Sequence, residues 1–190
     1  MKIGLYFGSF NPVHVGHLII ASFVADNTDV DQVWFVVSPQ NPLKKPNSLL
    51  NEYHRLHLVQ QAIEKDKRLK ASKIEFVLPR PSYTIDTLTY LNEKYLEHEF
   101  IVIMGSDSLK NISKWKNCET LLQNYSLYVY LRPGFAINNT FGEKIKVLKA
   151  PLLEISSTLI RELIKRGKSI KYLVPELVEE EIEKSGYYKV

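Results

Sequence analysis

The chain has 190 residues, of which 45% are hydrophobic and 24% charged, which is enough for one compact domain with a sizeable core and excludes a long modular enzyme. Lys and Arg number 25 against 21 acidic residues, and this net charge of +4 favours anionic small molecules over nucleic acid. The single cysteine, Cys118, excludes an internal disulfide and a zinc cluster, and no apolar stretch reaches the about 18–20 residues of a membrane span, so we expect a soluble, cytoplasmic protein.

The first part of the chain alternates between strand and helix patterns. Apolar residues predict a strand at Ile3–Phe7, a largely buried helix at Leu18–Ala25 and a strand at Gln32–Ser38. The last of these is a run of β-branched and aromatic residues without alternation, which is typical of a central parallel strand. A helix from Ser48 to about Lys65 and a strand at Ile74–Leu78 follow.

The alternation continues to the end of the chain. The predicted elements are helix Thr84–Tyr95, strand Phe100–Met104, helix Cys118–Asn124, strand Ser126–Leu131, loop Arg132–Phe141, strand Lys144–Leu148 and helices Ser156–Arg166 and Pro175–Lys184. This order predicts an α/β fold with a doubly wound parallel sheet and C-terminal helices. We expect a single domain over residues 1–190, with the core in about 1–150 and a C-terminal helical part in about 151–190. Ligands should bind at the carboxyl ends of the strands.

The loop after the first strand reads Gly8-Ser-Phe-Asn-Pro-Val-His-Val-Gly-His17. Backbone N–H groups ahead of a helix can bind phosphate, and Gly16 should let a ligand approach closely. His14 and His17 are three residues apart, so both could donate hydrogen bonds to phosphoryl oxygens. Metal ligation by this pair is the alternative, but beyond it the chain offers only three histidines, and no acidic or cysteine cluster adjoins the pair. Two of these, His54 and His57, we expect to be ordinary helix residues.

Two later segments suit a nucleotide. Three hydroxyls precede Arg161 at a predicted helix start, where they can cap the helix or bind phosphate oxygens, and arginine binds phosphate in a planar fork. Asp107 follows the buried strand Phe100–Met104, where it could accept from ribose hydroxyls or cap a helix. Trp115 is either core or a platform for a cationic ring.

These segments resemble a known family. Gly8–His17 resembles the HxGH signature of the nucleotidyltransferase superfamily, and the longer stretch is similar to the first motif of bacterial nicotinate-nucleotide adenylyltransferases. Four further segments match that family in order: the (R/G)PSYTxDTL motif at Arg80–Leu88, GxDxL…W from Gly105 to Trp115, ISSTxIR at Ile155–Arg161 and the closing YLVP segment at Tyr172–Val178. The implied fold is the Rossmann-like nucleotidyltransferase fold.

The resemblance implies a set of site residues. The catalytic ones are His14, His17, Lys45 and Arg161. Those that bind ATP are Gly8, Ser9, Phe10, His17, Gly105, Asp107, Ser156, Ser157, Thr158 and Arg161. Those that bind the mononucleotide are Ser9, Lys45, Tyr83, Thr84 and Trp115. Ser38–Lys45 departs from the family's PxxxPPHK, with Leu43 in place of the second proline and Lys44 in place of the histidine, which leaves open whether Lys44 or Lys45 contacts phosphate.

The implied reaction transfers the adenylyl group of ATP to nicotinate mononucleotide, giving nicotinate adenine dinucleotide and pyrophosphate. Mg²⁺ would be bound mainly through the ATP phosphates, with no metal-ligating residue of the protein, and neither nucleic acid nor a membrane would be a partner. Adenylyltransferases for nicotinamide mononucleotide or phosphopantetheine, and a nucleotide-sensing module without activity, stay open as alternatives. A fragment of a class I aminoacyl-tRNA synthetase is disfavoured by the chain length. The sequence leaves open a homo-oligomer, and whether Arg132 meets adenine or faces solvent.

Overall fold

The computed structural model describes residues 1–40, 49–135, 137, 144–151 and 153–189. Within these ranges the backbone forms a six-stranded sheet with every pair of neighbours parallel, in the order β3-β2-β1-β4-β5-β6. The strands are β1 Lys2–Gly8, β2 Gln32–Val37, β3 Leu69–Ser72, β4 Glu99–Gly105, β5 Ser126–Tyr130 and β6 Ile145–Leu148. The doubly wound parallel sheet that the sequence predicted is confirmed.

Helices cover both faces of this sheet. They are α1 Val15–Asn27, α2 Glu52–Ile63, α3 Thr84–Lys94, α4 Ser106–Lys110, α5 Cys118–Asn124, α6 Ser157–Lys165 and α7 Glu176–Ser185. Successive side chains of a strand point to opposite faces of the sheet. Phe35 of β2 therefore packs in an apolar cluster on one face, with residues of α1, α2, α6 and α7. Trp34 packs in a second cluster on the other face, with residues of α3, α4 and α5. No helix of the described residues is long and apolar enough to cross a membrane.

One predicted strand was wrong. Ile74–Leu78 was expected as a strand, but Ile74–Val77 forms a 3₁₀ turn and the third strand lies earlier, at Leu69–Ser72. β3 is an edge strand that pairs only with β2 among the described strands, and its residues are half-buried or exposed, so its apolar signal is weak. The apolar run that follows instead turns Glu75 into the interior, where it bonds to the start of α3.

The strand order indicates where the sheet binds ligands. From β1 the chain proceeds to β2 on one side, and after β3 it crosses back to add β4 on the other side of β1. The connections that leave β1 and β4 therefore diverge and open a crevice at the carboxyl ends of these two strands, which is where parallel α/β sheets bind ligands. Gly8 ends β1 and Gly105 ends β4, so both glycines of the predicted nucleotide site lie at this crevice.

Candidate active site

The loop after β1 is folded over a buried aromatic ring. A Cβ atom on Gly8 would lie 2.8 Å from the ring of Phe10, so only glycine leaves room for that ring. Phe10 is 2% exposed and packs edge-on against Tyr6 and His17, with ring centroids 5.8 and 5.1 Å away, and its own φ is 44°. The Phe10 ring thus supports the loop from below, and its backbone is the part of the residue that could meet ATP.

The two histidines of the loop stack on each other. Their ring centroids are 3.7 Å apart with an angle of 28° between the planes. His14 is the N-cap of α1, and its backbone N–H donates to Nδ1 of His17 at 3.2 Å. An accepting Nδ1 fixes the tautomer of a neutral His17, so that Nε2 carries the proton and is a donor.

Gly16 lies against the ring of His14. A Cβ atom at Gly16 would lie 3.1 Å from Nδ1 and 3.2 Å from Cε1 of His14, so a larger residue would crowd the imidazole. The expectation that this glycine lets a ligand approach closely stays a prediction.

His14 is neutral at pH 7. Burial and the charge of Arg132 lower its pKa from 6.5 to about 4. His14 is 6% exposed, and the Nδ1 atom of its ring is buried without a hydrogen-bond partner among the described residues. A neutral imidazole can still donate one hydrogen bond to a phosphate oxygen, and it does so without a fixed positive charge.

This lowered pKa predicts a pH-dependent stability. Between pH 6.5 and 4 the unfolded chain protonates His14 while the folded chain does not, so His14 lowers the free energy of unfolding as the pH falls. We expect the wild type to lose about 2 kcal/mol more than a His14→Asn variant between pH 7 and 4.5 in guanidinium unfolding. His57→Asn, on the exposed face of α2, is the matched control and should follow the wild type. A wild type and a His14→Asn variant that lose stability in parallel would contradict this account.

The start of α6 is fastened to the same loop. Ser156 is the N-cap, and its side chain accepts from the N–H of Leu159 at 3.2 Å. The hydroxyl of Ser157 donates to the carbonyl of Pro12 at 2.9 Å. Arg161 donates through Nη1 to the carbonyl of Asn11 at 2.7 Å and through Nη2 to Thr158 Oγ1 at 3.2 Å. The structure therefore brings Arg161 and the histidine loop, about 150 residues apart in sequence, to one place.

The ends of β4 and β5 form the opposite wall. A Cβ atom on Gly105 would collide with Oδ1 of Asp107 and lie 3.1 Å from Nε of Arg132. Asp107 pairs with Arg132 at 3.4 Å, and the backbone N–H of Arg132 donates to Ser106 Oγ at 2.9 Å. The positive charge of Arg132 also contributes to the lowered pKa of His14. Arg132, whose role the sequence left open, thus lies in the crevice between Asp107 and the histidine loop.

Two of the predicted mononucleotide residues, Tyr83 and Thr84, lie at the start of α3. Tyr83 is its N-cap and Thr84 its first residue. Tyr83 and the half-buried Trp115 pack against the same apolar cluster. Lys116, next to Trp115, lies 5.0 Å from the Tyr83 ring centroid and pairs with Asp86 at 2.8 Å. An aromatic side chain and a helix N-terminus therefore adjoin, a combination that suits a ring with a carboxylate. Lys44, Lys45 and Leu43 fall outside the described residues.

Arg55 was not predicted from the sequence to be a functional residue. This arginine of α2 is 0% exposed and donates to four backbone carbonyls: Nε to Leu50 at 2.7 Å, Nη1 to Ser9 and Ser38 at 2.6 and 2.8 Å, and Nη2 to Pro39 at 3.1 Å. It joins the loop after β1 to the chain after β2 and to the start of α2. A signal was present, because Arg55, Leu58, Val59 and Ala62 share one face of α2, so the arginine occupies an apolar register position.

The chain is similar to known proteins over nearly its whole length. The family model described as cytidylyltransferase-like matches residues 5–163. Proteins named probable nicotinate-nucleotide adenylyltransferase are 54% identical in Cytophaga hutchinsonii, over 99% of this chain and 98% of that protein, and 54% in Flavobacterium psychrophilum, over the full length of both. The fold is similar to Plasmodium falciparum nicotinic acid mononucleotide adenylyltransferase complexed with NaAD, with a TM-score of 0.83 and 21% identity over 98% of this chain and 97% of that one.

Proposed function

Because the chain belongs to the nicotinate-nucleotide adenylyltransferase family, we propose that it transfers the adenylyl group of ATP to nicotinate mononucleotide, giving nicotinate adenine dinucleotide and pyrophosphate. One observation carries the catalytic part of this proposal: Arg161 is hydrogen-bonded into the loop that holds the stacked His14 and His17. Side chains that can donate to phosphate and lie far apart in the sequence are thereby linked, which suits the transfer of an adenylyl group between two anions.

The reaction needs no protein base. A nucleotide phosphate has a second pKa near about 6, so the attacking 5′-phosphate is already dianionic at pH 7. One of its oxygens bonds to the α-phosphorus of ATP, the bond from that phosphorus to the bridging oxygen breaks, and pyrophosphate leaves with the electron pair. The site must align two anions and offset the charge that develops. We assign this work to His14, His17 and Arg161, together with Lys45.

Magnesium enters this account as part of the substrate MgATP. The described residues contain no group of three or more His, Cys, Asp and Glu that could hold a metal ion. Asp107 is paired with Arg132. The imidazole and guanidinium N–H groups of the site would bind phosphate, and the cation would be held mainly by phosphate oxygens and water. When bound, it neutralises charge on the polyphosphate.

The helix start of α3 is our candidate receptor for the pyridine carboxylate. The N–H groups of the first turn and the helix dipole both favour an anion there, and the sequence supplies Tyr83 and Thr84 at that turn. Trp115 would stack on the pyridinium ring, whose charge the indole face attracts. The phosphate end of the mononucleotide would then point toward Ser9 and the histidine loop, with Lys45 as the further contact.

Stacking of this kind predicts a selective binding defect. In Trp115→Ala the KM for nicotinate mononucleotide should rise about tenfold or more while the KM for ATP stays within about twofold, because the indole meets one substrate only. Steady-state kinetics with each substrate varied at saturation of the other measures this. Trp34→Ala, at a buried position of β2, is a control for general loosening of the fold. Equal rises in both KM values in Trp115→Ala would contradict stacking.

The acceptor is tested by parallel turnover assays. We expect kcat/KM for nicotinate mononucleotide to exceed that for nicotinamide mononucleotide, and phosphopantetheine to give no product, when pyrophosphate release is followed with MgATP present. A preference for the amide would replace the proposed acceptor with the alternative one. A cytoplasmic location and the absence of nucleic-acid and membrane partners belong to the proposal as well.

A further inference from the structure

A buried carboxylate lies behind the start of α3. Glu75, in the 3₁₀ turn Ile74–Val77, is 2% exposed. Its Oε2 accepts from Ser82 Oγ at 2.8 Å and its Oε1 from Thr87 Oγ1 at 3.0 Å. Burial raises the pKa of Glu75, while the hydroxyls of Ser82, Ser38 and Thr87 act in the opposite direction. Among the described residues no lysine, arginine or histidine forms an ion pair with it.

Two of the three hydroxyl groups bonded to Glu75, those of Ser82 and Thr87, flank the start of α3. Ser82 precedes the N-cap Tyr83, and Thr87 lies one turn into the helix. The one hydroxyl proton of Thr87 is shared between Glu75 and the carbonyl of Tyr83, which is 3.3 Å away. Both hydroxyl residues are buried, and Glu75 therefore ties the chain before Thr84 to the helix after it.

A buried charge without a counterion is costly, and the usual outcome in proteins is that such groups are absent or paired. Glu75 contributes no ion pair and touches no predicted substrate position, so packing alone does not account for a carboxylate there. Glu75 holds two points of one backbone turn through hydrogen bonds of 2.8 and 3.0 Å.

We propose that Glu75 is a positioning residue for the mononucleotide, which holds the N–H groups of Tyr83 and Thr84 in the direction that receives the pyridine carboxylate. This proposal rests on the proposed function. The sign of the effect separates positioning from charge alone. A negative group near an anion site repels an anionic ligand, so neutralising Glu75 would tighten binding if charge decided the matter and weaken it if positioning did.

The test compares Glu75→Met and Thr87→Val with the wild type. Both variants keep the approximate size of the side chain. Glu75→Met removes the acceptor of the Ser82 and Thr87 hydroxyls, and Thr87→Val removes one of these donors. We expect the KM for nicotinate mononucleotide to rise about tenfold in each, with the KM for ATP within about twofold of the wild type. Thr89→Val is the matched control, because Thr89 lies on the exposed side of the same helix and donates only to Ile85 among the described hydrogen bonds; its kinetics should equal those of the wild type.

Calorimetric titration with nicotinate mononucleotide alone accompanies the kinetics. A rise in Kd in Glu75→Met that matches the rise in KM supports positioning. An unchanged or lower Kd overturns it, as does a rise in both KM values together, which is the mark of a general structural role. Wild-type protein that binds the mononucleotide but does not turn it over would overturn the proposed function and leave the Kd comparison to decide the role of Glu75. Wild-type protein that binds none overturns both.

Discussion

Replacing His17 with alanine lowers kcat by about 10²–10³-fold and leaves both KM values within a few-fold of the wild type. The reason is geometric. The Nδ1 of His17 accepts from the backbone of His14, which leaves the proton on Nε2, and the ring is held by stacking against His14. A donor fixed in this way before substrate arrives needs no reorganisation when charge develops at the α-phosphate.

The control for this experiment is His57→Ala. His57 lies on the exposed face of α2, so the substitution removes an imidazole of the same kind outside the crevice and should change kcat by less than about twofold. Stopped-flow or steady-state measurement of pyrophosphate release at saturating substrates gives kcat for both variants. A His17→Ala variant with near wild-type turnover would remove this imidazole from the reaction.

Arg55→Met should lower the free energy of unfolding by about 3 kcal/mol or more. Methionine fills much of the space of the side chain but leaves four carbonyls, those of Ser9, Ser38, Pro39 and Leu50, without the donor they have in the wild type. Each buried acceptor left unpaired costs about 1–3 kcal/mol, less where water can enter. The loop after β1 loses one of its ties to α2 at the same time, so kcat/KM should fall as well.

Arg68→Met provides the comparison. Arg68 is a partly exposed arginine that pairs with Asp26 and Asp66, and pairs of this kind contribute about 0–1 kcal/mol. Urea unfolding of the wild type and both variants measures the difference. If Arg55→Met is no less stable than Arg68→Met, the four hydrogen bonds do not organise the edge of the sheet as described.

The fold was largely predictable because its signals are local. β1, β2, β4 and β5 are continuous apolar runs, and parallel strands buried on both faces produce such runs. β3 was not predictable in this way, since an edge strand is half exposed and its register is set by pairing with β2. In the sequence, the apolar residues of Ile74–Val77 resemble a strand. The hydrogen bonds that draw Glu75 toward the start of α3 are visible only in the structure.

The site also contains some residues that the sequence predicts and others that it does not. The first loop and the start of α6 are recognisable in the sequence, because their glycine, histidines and hydroxyls stand at fixed spacing, and the structure brings both segments together. Arg132 and Arg55 act through partners that lie far away in sequence, as the tie from Arg55 to Ser9 illustrates. A sequence pattern alone carries no information about these contacts. The position of Arg55 in the apolar register of α2 was the one local hint.

The central claim is that the crevice at the ends of β1 and β4 joins two nucleotides through the α-phosphate of ATP. The most direct measurement supplies ATP labelled at that phosphate, together with Mg²⁺ and nicotinate mononucleotide, and follows the label by chromatography. The account predicts that the label appears in nicotinate adenine dinucleotide, in step with unlabelled pyrophosphate, and that His17→Ala slows both together. Label that stays in ATP, or that is released as AMP without dinucleotide, would contradict it.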